Sequence, residues 1–136
     1  IGISPDFPST GYGYLKQGKN IETASDRSVH QVERFVEKPN LEKAEQYLKD
    51  GGYFWNAGMF VWRPQVILSA ISKHAPELSA GLEDLSACWR DTGSIGQAMD
   101  KVYPKLKKIS IDFAVMEKAQ GVVMLESAFD WDDVGE

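Results

Sequence analysis

The clearest fold signal in this chain is the stretch Phe54-Trp55-Asn56-Ala57-Gly58-Met59-Phe60-Val61-Trp62. Apart from Asn56 and Gly58, the stretch is apolar at both alternating sets of positions. A strand with this pattern has both faces covered, which is typical of a sheet with helices packed on each side. The stretch therefore predicts a buried strand over residues 54–62 of an α/β fold.

Helix-start signals flank this predicted strand on both sides. Asn40 has the chemistry of an N-cap, and Gly51 is placed to end the helix that follows it. Prolines at a first helical position predict two further helices, and a serine three residues before a glutamine has the spacing of a capping box. The predicted starts are Asn40, Pro64, Pro76, Ser94 and Ser110.

The remaining strands are predicted from segments rich in β-branched and aromatic residues. They cover residues 1–3, 11–15, 30–37, 122–125 and 129–134, and residues 18–27 are predicted as a polar loop or hairpin tip. Strands that alternate with helices indicate an α/β fold of three layers, with a mixed sheet and helices on both of its faces.

Charge and cysteine content limit the kinds of partner. Fifteen basic and twenty acidic side chains give a net charge of -5, whereas binding to a nucleic-acid polymer needs clustered cations. Lys105, Lys107 and Lys108 form a basic run that we interpret as solvated surface. The single cysteine, Cys88, excludes an intrachain disulfide and is interpreted as a small core residue. No stretch approaches the roughly 18 apolar residues of a membrane span, so we expect no nucleic-acid or membrane partner and a cytoplasmic location.

Both ends of the chain are interpreted as cuts through structure. The sequence opens at Ile1 without an initiator methionine, inside a predicted strand, and stops at Glu136 directly after an aromatic and acidic motif. We therefore expect residues 1–136 to be one partial domain of a longer protein. A sheet edge left uncovered in such a part favours self-association, so a homo-oligomer is an expected possibility.

Two segments place ligand-binding chemistry at the ends of predicted strands. In Thr10-Gly11-Tyr12-Gly13-Tyr14, glycine lies inside a strand, where it often marks the close approach of a ligand. A bulge or turn is the alternative. In Phe35-Val36-Glu37-Lys38-Pro39, Glu37 can accept hydrogen bonds from sugar hydroxyls and Lys38 can neutralise a phosphate. The alternative is a solvated ion pair before a proline turn.

Two further segments contain polar groups that need an explanation. Asn56 is an amide in an otherwise apolar predicted strand, where a polar ligand or neighbouring backbone must supply its hydrogen bonds, and Gly58 leaves room for a ligand. In Trp131-Asp132-Asp133-Val134-Gly135, the two aspartates point to opposite faces if the segment is extended, so they would not jointly hold one metal. One of them can bind Mg²⁺, which prefers oxygen ligands and bridges to phosphates. Exposed loop acids are the alternative.

The order and spacing of these segments resemble the second half of the sugar-1-phosphate nucleotidyltransferase domain, a Rossmann-like and GT-A-like fold. The matching motifs are Tyr-Gly, Glu-Lys-Pro, Trp-Asn-x-Gly-Met-Phe, Ile-Asp-x-Ala-x-Met-Glu and Trp-x-Asp-Val-Gly. Within that family, the second, third and fourth motifs are most similar to those of mannose-1-phosphate guanylyltransferases. The resemblance covers essentially the whole chain.

The resemblance implies transfer of GMP from GTP to mannose 1-phosphate, giving GDP-mannose and pyrophosphate, with Mg²⁺ as the cofactor. It implies substrate-binding roles for Gly13, Glu37, Lys38, Asn56 and Gly58, a catalytic role for Lys38, and a catalytic, metal-binding role for Asp133. The family's glycine-rich phosphate loop, its nucleobase contacts and its other metal-binding aspartate are absent from this sequence. We therefore expect this sugar-binding half to be inactive alone.

Three other functions stay open from the sequence. One is a related pyrophosphorylase that uses glucose 1-phosphate with UTP or dTTP, because the choice of nucleobase is not encoded in this half. Another is a non-catalytic regulatory or sugar-binding module. The third is a structural or interaction domain, which would have no use for Asn56 and Gly58 in a buried strand.

Overall fold

The computed structural model describes residues 1–24 and 27–134. The chain divides into two compact units: residues 1–61 with 120–136 form the first, and residues 62–119 form the second. In the part of the chain that the structure describes, no helix has the length and apolar character that crossing a membrane requires.

The first unit is built on a five-stranded sheet in the order β1-β4-β2-β3-β5. Its strands are β1 (Gly2–Ile3), β2 (Tyr14–Asn20), β3 (Val29–Val36), β4 (Tyr53–Asn56) and β5 (Val123–Leu125). The ladders between these strands are antiparallel, and an isolated parallel bridge joins Gly2 to Glu126. The sheet and its helices confirm the predicted α/β class, and the mixed character of the sheet is limited to this parallel bridge.

Helix α1 (Leu41–Asp50) supplies the core on one face of the sheet. It begins as predicted, because Oδ1 of Asn40 accepts a hydrogen bond from the backbone N–H of Lys43, and it ends at Gly51 with a φ of 68°. Tyr47 of α1 stacks on Tyr53 of β4 at a centroid distance of 4.0 Å. The buried cluster on this face comprises Ile3, Tyr12, Tyr14, Ala44, Tyr47, Tyr53 and Trp55.

The second unit is helical. It contains α2 (Pro64–His74), α3 (Pro76–Thr92), α4 (Ile95–Val102), a 3₁₀ turn (Tyr103–Lys105) and a π-helical turn (Asp112–Met116). Prolines open α2 and α3 as predicted, and the hydroxyl of Ser94 caps α4 by accepting from the N–H of Gln97. Ser110 likewise accepts from the N–H of Phe113. Cys88 on α3 is half-buried and thus is not a fully buried core residue.

Three predicted strands differ from the structure. The strand predicted over 54–62 ends at Asn56, because the side chain of Asn56 bonds to the backbone of Gly58 and Gly58 has a positive φ. Residues 129–134 form no strand. Conversely, β2 starts at Tyr14 and continues through the polar residues to Asn20, because these residues pair with β3 across two register shifts. Pairing with a neighbouring strand overrides the polar sequence pattern there.

Candidate functional site

Gly13, Glu37 and Asn56 meet across three neighbouring strands. Tyr14 of β2 pairs with Val36 of β3 and with Trp55 of β4, so the next position places Gly13 between Glu37 and Asn56. The backbone N–H of Asn56 donates to the carbonyl of Gly13 at 2.7 Å. Three residues that lie far apart in the sequence are thus brought together on one face of the sheet.

Gly13 is tightly enclosed by these neighbours. A β-carbon at this position would lie 2.5 Å from Oε2 of Glu37, 3.3 Å from Cζ of Phe35 and 3.5 Å from Cβ of Asn56. Glycine therefore lets the carboxylate of Glu37 lie directly over the backbone of β2. This is the close backbone approach that glycine within a strand indicates.

Gly58 joins the group through Asn56. Its backbone N–H donates to Oδ1 of Asn56 at 3.1 Å, and its φ is 69°. An asparagine that accepts a hydrogen bond from the N–H two residues ahead forms an Asx turn, which redirects the chain. Local backbone therefore supplies one of the hydrogen bonds that the Asn56 amide needs.

Lys38 follows Glu37 with an unusual backbone conformation. Among the described residues, it is the only non-glycine residue with a positive φ, at 45°. Left-handed backbone costs a side-chain-bearing residue about 1–2 kcal/mol, and such strain clusters at functional sites. The side chain is exposed, while the following Pro39 is buried, so the turn leaves the ammonium accessible next to Glu37.

An aromatic cavity lies on the opposite face of the sheet. Tyr12 packs edge-to-face against Trp55 at 5.1 Å and against Trp131 at 5.3 Å. Because successive residues of a strand point to opposite faces, Tyr12 and Trp55 face away from Gly13 and Asn56. The cavity has a volume of about 730 Å³, and its lining includes Asp6, Asp130 and Asp132. This cavity was not predicted from the sequence, although the aromatic residues directly preceding Gly13 and Asn56 indicate an aromatic surface on the other face of the sheet.

The two aspartates after Trp131 are both exposed. Asp132 lines the aromatic cavity, and Asp133 is exposed in the segment that follows β5. This segment is anchored through Trp131, which packs against Tyr12 on the face opposite Gly13. Gly135, the last residue of the predicted motif, lies outside the described residues.

Asp133 is the magnesium ligand that the family resemblance predicts for this chain. Within residues 1–24 and 27–134, no cluster of three or more His, Cys, Asp or Glu residues is arranged to hold a metal. Mg²⁺ commonly takes only one or two carboxylates, with phosphates and waters as its other ligands. An exposed carboxylate such as that of Asp133 suits this kind of coordination, and the assignment stays a prediction.

Tyr14 anchors the strand that presents Gly13. Its ring is fully buried, and its hydroxyl donates to the carbonyl of Ser9 at 3.0 Å. Burial raises the pKa of the Tyr14 hydroxyl, because the phenolate would be poorly solvated there. Tyr14 is therefore a structural support directly beside the candidate site.

A family model and several named relatives identify the family of this chain. A family model described as nucleotidyl transferase matches residues 1–136. Mannose-1-phosphate guanylyltransferases from Klebsiella pneumoniae and Sinorhizobium fredii are 39% and 40% identical, each over 99% of this chain. A crystal structure from Thermus thermophilus, described as a mannose-1-phosphate geranyltransferase, is 39% identical with a TM-score of 0.81 and covers 98% of this chain.

The chain is shorter than these relatives. It spans 28% of the Klebsiella pneumoniae protein, 26% of the Sinorhizobium fredii protein and 36% of the Thermus thermophilus chain. The family model nevertheless matches the chain from its first residue to its last. The chain belongs to the nucleotidyl transferase family.

Proposed function

We propose that the protein containing this chain transfers GMP from GTP to mannose 1-phosphate, releasing pyrophosphate and giving GDP-mannose. This chain contributes the sugar-phosphate side of the site, and we expect it to be inactive alone. The observation that carries the proposal is the convergence of Gly13, Glu37 and Asn56 on one face of three adjacent strands. The names of the similar proteins support the choice of mannose 1-phosphate and a guanylyl group.

The chemistry of these residues suits a sugar phosphate. The Glu37 carboxylate can accept hydrogen bonds from hydroxyl groups, and such charged bonds are stronger than neutral ones. The Asn56 amide can donate to a hydroxyl oxygen. The exposed ammonium of Lys38, next in the chain to Glu37, can neutralise the phosphate. Sugar and phosphate are then bound by adjacent residues of one short turn.

Catalysis in this proposal comes from positioning and charge. An oxygen of the sugar phosphate attacks the α-phosphorus of GTP in line, and pyrophosphate leaves, so the protein needs no nucleophile of its own. Lys38 orients the attacking phosphate and lowers the repulsion between the two anions. Bound Mg²⁺ would neutralise charge on the phosphates, and Asp133 is the residue of this chain that would hold it.

The proposal is tested by assaying the full-length natural protein with different pairs of nucleotide and sugar phosphate. Formation of the nucleotide sugar is measured with GTP and mannose 1-phosphate, with and without Mg²⁺. The same assay is run with UTP or dTTP and glucose 1-phosphate. We expect GTP with mannose 1-phosphate to give the highest kcat/KM, and we expect EDTA and Asp133→Asn to remove most turnover. An excess of Mg²⁺ restores the EDTA-treated protein but not the variant.

Two other results would contradict the proposal. A higher kcat/KM for glucose 1-phosphate with UTP or dTTP would make the protein a different pyrophosphorylase. Binding of mannose 1-phosphate in calorimetry without turnover of any nucleotide would make it a non-catalytic sugar-binding module.

A further inference from the structure

Lys16 and Arg34 place two positive charges side by side on the sheet. They are directly paired residues of β2 and β3, and Tyr53 of β4 pairs with Lys16 from the other side. Side chains paired in this way lie on the same face of a sheet, where two like charges directly opposite each other are destabilising. The chain as a whole has a net charge of -5. This local pair of cations therefore needs an explanation.

Tyr53 holds both cations in place. Nη2 of Arg34 donates a hydrogen bond to the hydroxyl of Tyr53 at 3.2 Å, and Nζ of Lys16 lies 4.4 Å from the centroid of the Tyr53 ring. Nζ of Lys16 also donates to the carbonyl of Gly51 at 3.2 Å. The Tyr53 ring is itself buried and stacks on Tyr47 of α1 at 4.0 Å. The two cationic groups are therefore ordered on a rigid aromatic support, which reduces the entropy that a ligand must remove on binding.

The contacts of the two cations leave their charge unbalanced. In the described part of the chain, Arg34 bonds to a hydroxyl and Lys16 to a carbonyl and a ring, and neither of them bonds to a carboxylate. Asp50, which precedes Gly51, instead accepts a hydrogen bond from Gln46. Arg34 is exposed and Lys16 is half-buried, so an anion from solution can reach both side chains.

We propose that Lys16 and Arg34 form an anion-binding site for a phosphate group, separate from the candidate site at Gly13. A guanidinium has five N–H donors, of which Arg34 uses one for Tyr53, and its planar fork matches two phosphate oxygens. The ammonium of Lys16 adds a point charge beside it. A phosphate dianion balances both cations, whereas a single carboxylate balances only one.

The proposed anion site lies on the other face of the sheet from Gly13. Lys16 comes three positions after Gly13, and successive residues of a strand point to opposite faces. Tyr53, which pairs with Lys16, belongs to the buried cluster on the face that α1 covers. The inference therefore does not depend on which sugar phosphate binds at Gly13.

Calorimetry on the full-length protein tests the site with inorganic phosphate at constant ionic strength. Saturating GDP-mannose, the product of the proposed reaction, is present so that phosphate does not compete for the sugar-phosphate side. We expect Arg34→Gln and Lys16→Met each to raise the Kd of phosphate about tenfold, the size of one charge-assisted hydrogen bond. Tyr53→Phe keeps both charges but removes the hydroxyl that holds Arg34, so it should raise this Kd about threefold.

Two control variants remove the same charges elsewhere. Arg90 is an exposed arginine whose Nη1 donates to the hydroxyl of Ser86 at 3.0 Å, and Lys19 is an exposed lysine of β2. Arg90→Gln and Lys19→Met should leave the Kd of phosphate unchanged. Acetate should bind at least about tenfold more weakly than phosphate, because its single charge balances only one cation. Glycerol 3-phosphate, titrated in parallel, shows whether the site prefers a phosphate ester or the free anion.

Four results would overturn the anion site. They are the absence of phosphate binding to the wild type, an unchanged Kd in both Arg34→Gln and Lys16→Met, an equal loss in the two control variants, and acetate binding as tight as that of phosphate. Loss of phosphate binding in Lys38→Met alone would place the phosphate at the sugar-phosphate side and would also overturn it.

Failure of the proposed function is a separate outcome. If GDP-mannose does not bind the wild-type protein, the proposed function fails. The Kd values of phosphate for Arg34→Gln, Lys16→Met and Lys38→Met, measured without GDP-mannose, then decide the anion site by the same criteria.

Discussion

Oε2 of Glu37 lies 2.5 Å from the position that a β-carbon on Gly13 would occupy. Side chains do not approach this closely, so only glycine leaves the Glu37 carboxylate in its place. The contact joins the start of β2 to the end of β3, and it links the predicted backbone approach at Gly13 to the predicted acceptor at Glu37. A change at either residue should therefore affect the other.

Gly13→Ala should weaken sugar-phosphate binding by at least tenfold. The added methyl displaces the end of the Glu37 side chain, and losing a hydrogen bond to a charged acceptor costs about 1.5–3 kcal/mol. Calorimetry with mannose 1-phosphate measures the loss. Gly18→Ala is the matched control on the same strand, where the β-carbon would meet the backbone of Gln31 at 3.1 Å. If both variants lose affinity for mannose 1-phosphate to the same extent, the effect comes from strain in β2 and not from Glu37.

Glu37→Gln should reduce affinity while leaving the fold intact. The amide has nearly the shape of the carboxylate, but it loses the charge that strengthens hydrogen bonds from hydroxyl groups. We expect the Kd of mannose 1-phosphate to rise between about 10-fold and 100-fold. Glu33→Gln, an exposed position on the same strand, should change nothing. An unchanged Kd in Glu37→Gln would remove Glu37 from the site.

Replacing Lys38 by glycine should lower the affinity for the sugar phosphate but relieve strain in the folded protein. Lys38→Gly and Lys38→Met both remove the ammonium, so both should lose affinity for the sugar phosphate. Only glycine relieves the strain of the positive φ, which should raise the free energy of unfolding by about 1–2 kcal/mol. Glycine also makes the unfolded chain more flexible, which reduces this gain by about 0.4–1 kcal/mol. Urea unfolding should therefore find Lys38→Gly more stable than Lys38→Met. Equal stabilities would argue against strain at Lys38.

Alkaline pH should destabilise the first unit through Tyr14. Burial raises the pKa of this hydroxyl in the folded state, so folding favours the protonated form. The stabilising effect is complete below the ordinary tyrosine pKa of about 10. It is lost as the pH rises from there through the folded-state pKa.

Tyr14→Phe provides the check on this pH dependence. At pH 8 the free energy of unfolding of the variant should be about 1 kcal/mol lower than that of the wild type, because the hydrogen bond to Ser9 is lost. Above a pH of about 10, its unfolding free energy should fall less steeply with pH than that of the wild type. Parallel slopes in urea unfolding would contradict a role of Tyr14 in the alkaline transition.

The local sequence was sufficient where a short segment contains its own structural cause. The cap at Asn40, the stop at Gly51 and the prolines that open α2 and α3 all lie where they were predicted, because capping and proline geometry depend on near neighbours. The motifs also indicated the family correctly. By contrast, the predicted strand over residues 54–62 was too long, since hydrophobic pattern does not reveal the turn that Asn56 and Gly58 form.

The sequence alone determined the helix starts, the α/β class and the family, because these depend on local chemistry and on motif order. Only the tertiary structure decided the register that places Gly13 between Glu37 and Asn56. It also decided the separation of these residues from the aromatic cavity of Tyr12, Trp55 and Trp131. A shift of one residue in pairing moves a side chain to the other face of a sheet, and that pairing is set by contacts between distant segments.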